Sequence, residues 1–278
     1  MRIVRWGEAG AESFGLLAND MVHDLSGVDG LKDAVPFSKD WFGAIGSVNP
    51  GELPKVPAGT RLGPCVPQPP KFIAIGLNYK DHAAETGMEL PEEPIIFMKA
   101  PNCIAGPSDI VTIPEAVDEL DWEVELGIVI GAPGYRIPKE QALEHVAGYC
   151  VVNDLSARDW QFKGTGQWVK GKSFPGAGPV GPWLVTPDEI GDLNSLSLTL
   201  SVDDETRQEG TTGTMIFDVP TLISKVSTFM ALEAGDIIAT GTPSGVGFGR
   251  NPKVFLEAGQ TVTSEITGLG KQEISLAR

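Results

Sequence analysis

The chain has 278 residues, 41% hydrophobic and 21% charged, an ordinary globular balance for one large domain or one domain with a small appendage. Its 37 acidic against 21 basic residues leave a net charge of −16, the wrong sign for a nucleic-acid footprint, so no nucleic-acid partner is expected. No apolar run reaches the roughly 18 residues of a membrane span, and Met1–Gly7 breaks too early for a signal peptide; the expectation is a cytoplasmic protein with no membrane partner.

Residues 1–65 read as a small N-terminal domain with a Pro-rich connector. Arg2–Trp6, Gly15–Leu17 and Met21–Leu25 read as strands, and Leu31–Ile45 as the site of a short helix. Pro54, Pro57, Pro64, Pro67, Pro69 and Pro70 follow closely, and their missing N–H groups exclude a helix or a central strand there. Residues 66–278 read as a second, larger domain. It opens with the apolar strands Lys71–Gly76, Ile95–Lys99 and Ile110–Ile113, then Glu123–Ile130. A helix is expected over Glu140–His145, then strands at Ala147–Asn153, Trp183–Thr186 and Leu196–Val202. Asp218–Leu232 carries apolar residues at helical spacing and is opened by Asp218 and Pro220. Strands at Ile237–Thr240, Val254–Leu256 and Val262–Ile266 close the chain. Many short strands and few helices predict an α+β, mainly β fold of barrel-like character.

The segment Asp121–Gly131 separates at period two. Trp122, Val124, Leu126, Ile128 and Ile130 share one face; Asp121, Glu123 and Glu125 share the other. Glu123 and Glu125 then sit about 7 Å apart on one pleat and repel by roughly 2 kcal/mol at an effective dielectric of about 20. The segment is either the acidic outer face of a half-exposed strand or one side of a cation site. Asp154, just after an apolar strand, is either a helix N-cap or a third oxygen ligand. An all-oxygen set suits Mg²⁺ or Mn²⁺ better than zinc, copper or iron. His82 and Glu85, three apart, share one face of a helical turn, where a carboxylate steadies an imidazole base. The other imidazoles are His23 and His145. Lys172 lies in a Gly-rich turn. Thr240–Gly247 offers hydroxyls and N–H groups to an anion but lacks the P-loop Gly-Lys-Ser/Thr. Cys65, Cys103 and Cys150 match no metal or disulfide pattern and are expected as reduced, buried thiols.

In chain order, Gly76–Glu85 with its His-x-x-Glu, D-W-E-V-E-L at 121–126, N-D-x-S-x-R-x-x-Q at 153–161, K-G-K-S-F at 170–174 and T-G-T-P-x-G-V-G at 240–247 form one ordered set. Together they resemble the fumarylacetoacetate hydrolase family over about Lys71–Gly270. The resemblance implies a rolled mixed β-sheet catalytic domain behind the N-terminal appendage, usually in a homodimer. It implies Mg²⁺ or Mn²⁺ on Glu123, Glu125 and Asp154, and a small-molecule substrate with a 2-oxo acid end. By the same resemblance the His82–Glu85 pair deprotonates water and Lys172 stabilises developing charge. Arg158 and Gln161 orient ligand or water, Thr242 binds a carboxylate, and Lys99 is a wall residue. The implied activity is hydrolysis of a C–C bond in a 2,4-dioxo acid, of the 2,4-didehydro-3-deoxy-L-rhamnonate or fuconate type, to pyruvate and a hydroxy acid. Alternatives are acylpyruvate hydrolysis, oxaloacetate decarboxylation, ureidoglycolate cleavage and non-catalytic binding of metal and oxo acid. Leu77 stands where acylpyruvase-like relatives carry arginine, which removes one charged contact to substrate.

Overall fold

The computed structural model describes residues 1–278. Strands β1 (Arg2–Trp6), β2 (Ser13–Ala18) and β3 (Met21–Asp24) form an antiparallel meander. After the connector come β4 (Phe72–Gly76), β5 (Ile95–Lys99), β6 (Ile110–Thr112), β7 (Val124–Ile130), β8 (Val146–Asn153) and β9 (Leu184–Val185). They are followed by β10 (Ser197–Val202), β11 (Glu205–Thr211), β12 (Ile237–Ala239), β13 (Thr261–Ile266) and β14 (Gly270–Ala277), and five two-residue strands lie between these elements. The larger sheet runs β3–β2–β1–β9–β8–β7–β12–β4–β5, and the smaller runs β11–β10–β13–β14–β6. Both are mixed: β12 pairs parallel with β4, and β14 with β6. The helices are α1 (Lys39–Gly46), α2 (Lys80–Thr86), α3 (Arg158–Phe162), α4 (Trp168–Lys172) and α5 (Val219–Phe229). None is long and apolar enough to cross a membrane.

The meander is stitched into the larger sheet where Arg2 and Ile3 of β1 pair with Val185 and Leu184 of β9. The strands of residues 1–65 therefore extend a sheet whose centre lies in residues 66–278. That centre is β7 and β8, whose near-continuous apolar runs suit strands covered on both faces. Every residue of β7 is buried, and so is every residue of β8 after Val146. The smaller sheet packs on this pair through β10 and β13.

This burial decides between the two readings of the 121–131 segment. Asp121, Glu123 and Glu125 do not form a solvated outer face: they are 0%, 6% and 1% exposed. Other differences are local. Phe37 adopts a left-handed φ of 69° after Pro36, so helix α1 starts only at Lys39, with the Ser38 hydroxyl accepting from Trp41 N–H. Lys139–His145 is a 3₁₀ rather than an α-helix. Val254–Leu256 is not a strand, because Val254 N–H donates to Gly247 and Leu256 N–H to Leu120, two different partners. Strands β11 and β14 were not anticipated; both carry charged or polar residues on their open faces. Helix α5 forms as read, with the Asp218 carboxylate accepting from Thr221 N–H at 2.9 Å and Pro220 in its first turn.

Candidate active site

Three carboxylates converge where β7 meets the end of β8. One oxygen from each of Glu123, Glu125 and Asp154 lies within 4.8 Å of the others. Glu123 immediately precedes β7 and Glu125 is its second residue, so both point from one side of the pleat. Asp154 follows β8 directly, and its N–H donates to the Glu123 carbonyl.

Three cations pack against this floor. Lys172 Nζ lies 2.7 Å from both Glu123 Oε2 and Asp154 Oδ2. Arg158 Nη2 donates to Glu123 Oε1 at 2.5 Å, its Nε to Asp121 Oδ2 at 2.9 Å and its Nη1 to Gln161 Oε1 at 2.9 Å. Lys99 Nζ donates to Asp154 Oδ1 and to the Lys172 carbonyl, both at 2.6 Å. Burial alone would raise the Glu123 carboxyl, but Lys172, Arg158 and His82 outweigh it and bring it down to about 2. Burial alone would lower the Lys172 ammonium, but Asp154 and Glu123 outweigh it and hold it above the usual lysine value.

Glu125 differs. It makes no salt bridge, and the hydrogen bond it accepts is from Gly241 N–H at 2.8 Å. Burial, then Asp154 and Glu123, push its carboxyl well above the usual range. A buried carboxylate with no cation partner is costly. An all-oxygen donor set with that imbalance fits a hard divalent cation; the residues that would hold it are Glu123, Glu125 and Asp154.

Across the cleft stands helix α2. His82 Nδ1 lies 3.4 Å from Glu85 Oε2, and His82 lines the same cleft as Glu123, Glu125, Arg158 and Lys172. The other imidazoles lie away from this cleft: His145 Nδ1 is 2.8 Å from the Ala132 carbonyl, and His23 is buried in β3.

The segment after β12 holds this side together. It does cradle anions, but they are the protein's own carboxylates. Gly241 N–H serves Glu125, Ser244 N–H and hydroxyl serve Asp81, Gly245 N–H serves Glu85, and Gly247 and Phe248 N–H serve Asp121. Gly247 is required by this closeness: a Cβ there would stand 1.9 Å from the Val254 carbonyl oxygen and 2.9 Å from Asp121 Oδ1. Helix α2, and with it His82, is fixed to this segment at Asp81 and Glu85.

Of the residues singled out from sequence, all except Asp154 and Lys99 reach the cleft directly or through Glu85's bond to His82. Asp154 sits beneath Lys172, completing the floor. Lys99 is fully buried behind Asp154 and is not on the cleft wall. Thr242 lines the cleft, but its hydroxyl already donates to the Val124 carbonyl and accepts from Gln208 Nε2. Three supporting residues escaped the sequence reading. Asp121 joins Arg158 to the 247–248 turn. Gln208 on β11 braces Val124 N–H and Thr242. Asn78 ties the start of α2 to Thr240 and Phe217. Only Asp121 carried a signal, its place on the same pleat as Glu123 and Glu125.

Residues 71–276 match the model of the fumarylacetoacetate (FAA) hydrolase C-terminal family. A protein of Burkholderia multivorans with a generic hydrolase name is 49% identical over 275 residues, covering 98% of this chain and 97% of its own. The fumarylacetoacetate hydrolase of Exiguobacterium antarcticum superposes with a TM-score of 0.89 at 35% identity, over 100% of both chains. The 5-carboxymethyl-2-hydroxymuconate delta-isomerase of Mycobacterium smegmatis does so at 0.80 and 31% identity, over 100% of this chain and 99% of its own. The carboxylate floor and the His82–Glu85 pair that faces it are thus carried on a fold shared with proteins named as hydrolases and isomerases, and the chain belongs to the fumarylacetoacetate hydrolase family.

Proposed function

We propose that the protein is a Mg²⁺- or Mn²⁺-dependent hydrolase that cleaves the C3–C4 bond of a 2,4-dioxo acid. The observation that carries this reading is the facing of the His82–Glu85 pair and the Glu123, Glu125 and Asp154 floor across one cleft. When bound, the ion supplies a Lewis acid that polarises the 2-oxo acid end of the substrate.

The chain's own residues do the rest. His82 takes a proton from water, and Glu85, anchored by Gly245 N–H, orients the imidazole and stabilises its charged form. The water oxygen bonds to C4. The C3–C4 bond then breaks with its electron pair going to C3, and His82 returns a proton there. One dioxo acid and one water thus become a carboxylic acid and pyruvate. Lys172, held as an ammonium at the floor, offsets negative charge developing on the 2-oxo oxygen. Arg158 is fixed on three sides and holds Glu123 and Gln161 in place.

The test is incubation with Mg²⁺ and a panel of 2,4-dioxo acids, coupled to lactate dehydrogenase. Pyruvate release abolished by chelation is the expected result; none above the blank from any member refutes the reading. A second reading, isomerisation by proton transfer without water, is favoured by the similarity to the M. smegmatis isomerase. Solvent deuterium entering the substrate faster than the enzyme-free exchange, without pyruvate release, would select it.

A further inference from the structure

The cleft has two chemistries, and the wall bears on the part of the substrate that the floor leaves open. Above the charged floor, Phe97, Trp168, Phe162 and Phe248 make a continuous chain of rings. Phe97 and Trp168 meet edge to face at 5.3 Å, Trp168 and Phe162 at 6.3 Å, and Phe162 and Phe248 at 5.1 Å. The Trp168 ring lies directly over Gly76, where a Cβ would stand 2.5 Å from it. Beside it Leu77 lines the cleft from a left-handed φ of 52°, a conformation disfavoured for leucine and held by the bonds of Asn78. Met88 and Phe162, at the cleft, are 42% and 38% exposed. Apolar side chains left open around a cleft mark a ligand surface.

The wall offers no free positive charge. Arg158 and Lys172 are the only Lys or Arg residues lining the cleft, and both are committed to the acidic floor. Lys253 stacks 3.6 Å from the Phe248 ring centroid but does not line the cleft. A second carboxylate on the substrate would be desolvated among rings without a partner. A polyhydroxy tail finds few side-chain donors: the Thr86 and Thr242 hydroxyl protons already go to main-chain carbonyls, which leaves the Gln161 amide, the Trp168 indole N–H and the His82 ring.

We infer that this cleft selects 2-oxo acids whose far end is an uncharged aryl or alkyl group, gripped by Leu77, Phe97, Phe162, Trp168 and Phe248. The inference rests on the reading of the floor as the 2-oxo acid site. It departs from the sugar-derived tail implied by the resemblance: of the wall residues only Leu77 lies inside a motif of that resemblance, while Phe97, Phe162, Trp168 and Phe248 lie outside all five.

Two arms test it. In the first, kcat/KM is measured with Mg²⁺ for 2,4-dioxo acids ending in methyl, phenyl, a terminal carboxylate or a polyhydroxyalkyl group. The phenyl compound should exceed the carboxylated and hydroxylated ones by about tenfold or more, mainly through KM. In the second, metal-loaded protein is titrated calorimetrically with phenylpyruvate, pyruvate and 2-oxoglutarate, which needs no turnover. Phenylpyruvate should bind tightest. Leu77→Gly, which suits the left-handed backbone, and Phe162→Ala at the open cleft should each reduce the phenyl-over-methyl preference at least about threefold. Preference for the carboxylated or hydroxylated compound in either arm overturns the inference, most directly if Lys253→Ala removes it. So does equal loss for phenyl and methyl substrates in both wall variants. Tight phenylpyruvate binding without cleavage of any dioxo acid refutes the hydrolase reading alone.

Discussion

Two charge clusters of this molecule contain similar residues and do different things. In the first, Arg61 grips Asp109 with two bonds of 2.7 and 2.8 Å and Glu12 with one of 2.9 Å, while Arg5 approaches Glu12 at 3.4 Å. Two cations meet two acids, and the cluster ties β1 and the connector to the turn at Asp109. In the second, Asp121, Glu123, Glu125 and Asp154 face Lys99, Arg158 and Lys172, and Glu125 is left without a cation. A cluster that balances itself is a staple. A buried cluster with one acid to spare is suited to a bound dication, and there a proton or metal changes the chemistry.

The contrast makes predictions that differ in kind. Glu125→Gln should cost the largest factor, on the order of 10⁴ in turnover, because a Lewis-acid ion supplies several kcal/mol at about 1.4 kcal/mol per tenfold. Calorimetry with Mn²⁺ should show binding lost, while the metal-free variant melts no lower than the unmodified protein, since an unpaired buried carboxylate has become a neutral amide. A lower melting temperature with Mn²⁺ binding intact would make Glu125 structural and erase the contrast. His82→Ala should follow, at about 10³-fold in kcat with Mn²⁺ affinity kept; equal losses of affinity and rate would mean that His82 belongs to the floor instead.

The staple should behave in the opposite way. Arg61→Ala is expected to lower stability by about 1–2 kcal/mol, a discounted figure because Arg61 is partly exposed. Denaturant unfolding measures it, and kcat should stay within about twofold of the unmodified protein. A large loss of kcat would show that the two clusters communicate. The smallest effect is in acid. Burial would raise the Glu12 carboxyl, but the Arg61 bond and the charge of Arg5 hold it below its usual value. A depressed carboxyl stabilises the fold above its unfolded value of about 4.3 and loses that contribution as pH falls through the folded value. Melting temperature followed from pH 6 to pH 3 should therefore fall less steeply in Arg61→Ala. Parallel curves would remove Glu12 as a source of the acid limb.

Legibility from sequence followed the range of the forces involved. The central strands could be read because β7 and β8 are runs of apolar residues whatever surrounds them. Helix α5 could be read because Asp218, Pro220 and the apolar spacing are local. The α1 boundary slipped because the left-handed turn at Phe37 depends on packing; Phe37, Phe14 and Trp41 meet there at ring distances of 5.1 to 5.9 Å. Strands β11 and β14 were hidden by their polar faces, and Val254–Leu256 looked like a strand because its three residues are all apolar, while their N–H groups go to different partners. Lys99 was placed on the wall by the family resemblance, whereas its position behind Asp154 follows from how β5 packs beside α4.

The sequence by itself determined which groups are present: two acids at period two, a third after an apolar strand, an imidazole with a carboxylate three residues on, and a lysine in a Gly-rich turn. These are local facts, set by spacing along one strand or one turn. Only the tertiary structure decided that the acids are buried rather than solvated, that Glu125 alone has no cation, that the 241–248 segment clamps four carboxylates, and that a ring wall stands over them. Those properties are sums over residues as far apart as Leu77, Phe162 and Phe248, and burial, charge balance and a shared wall come into being only when distant segments exclude water together.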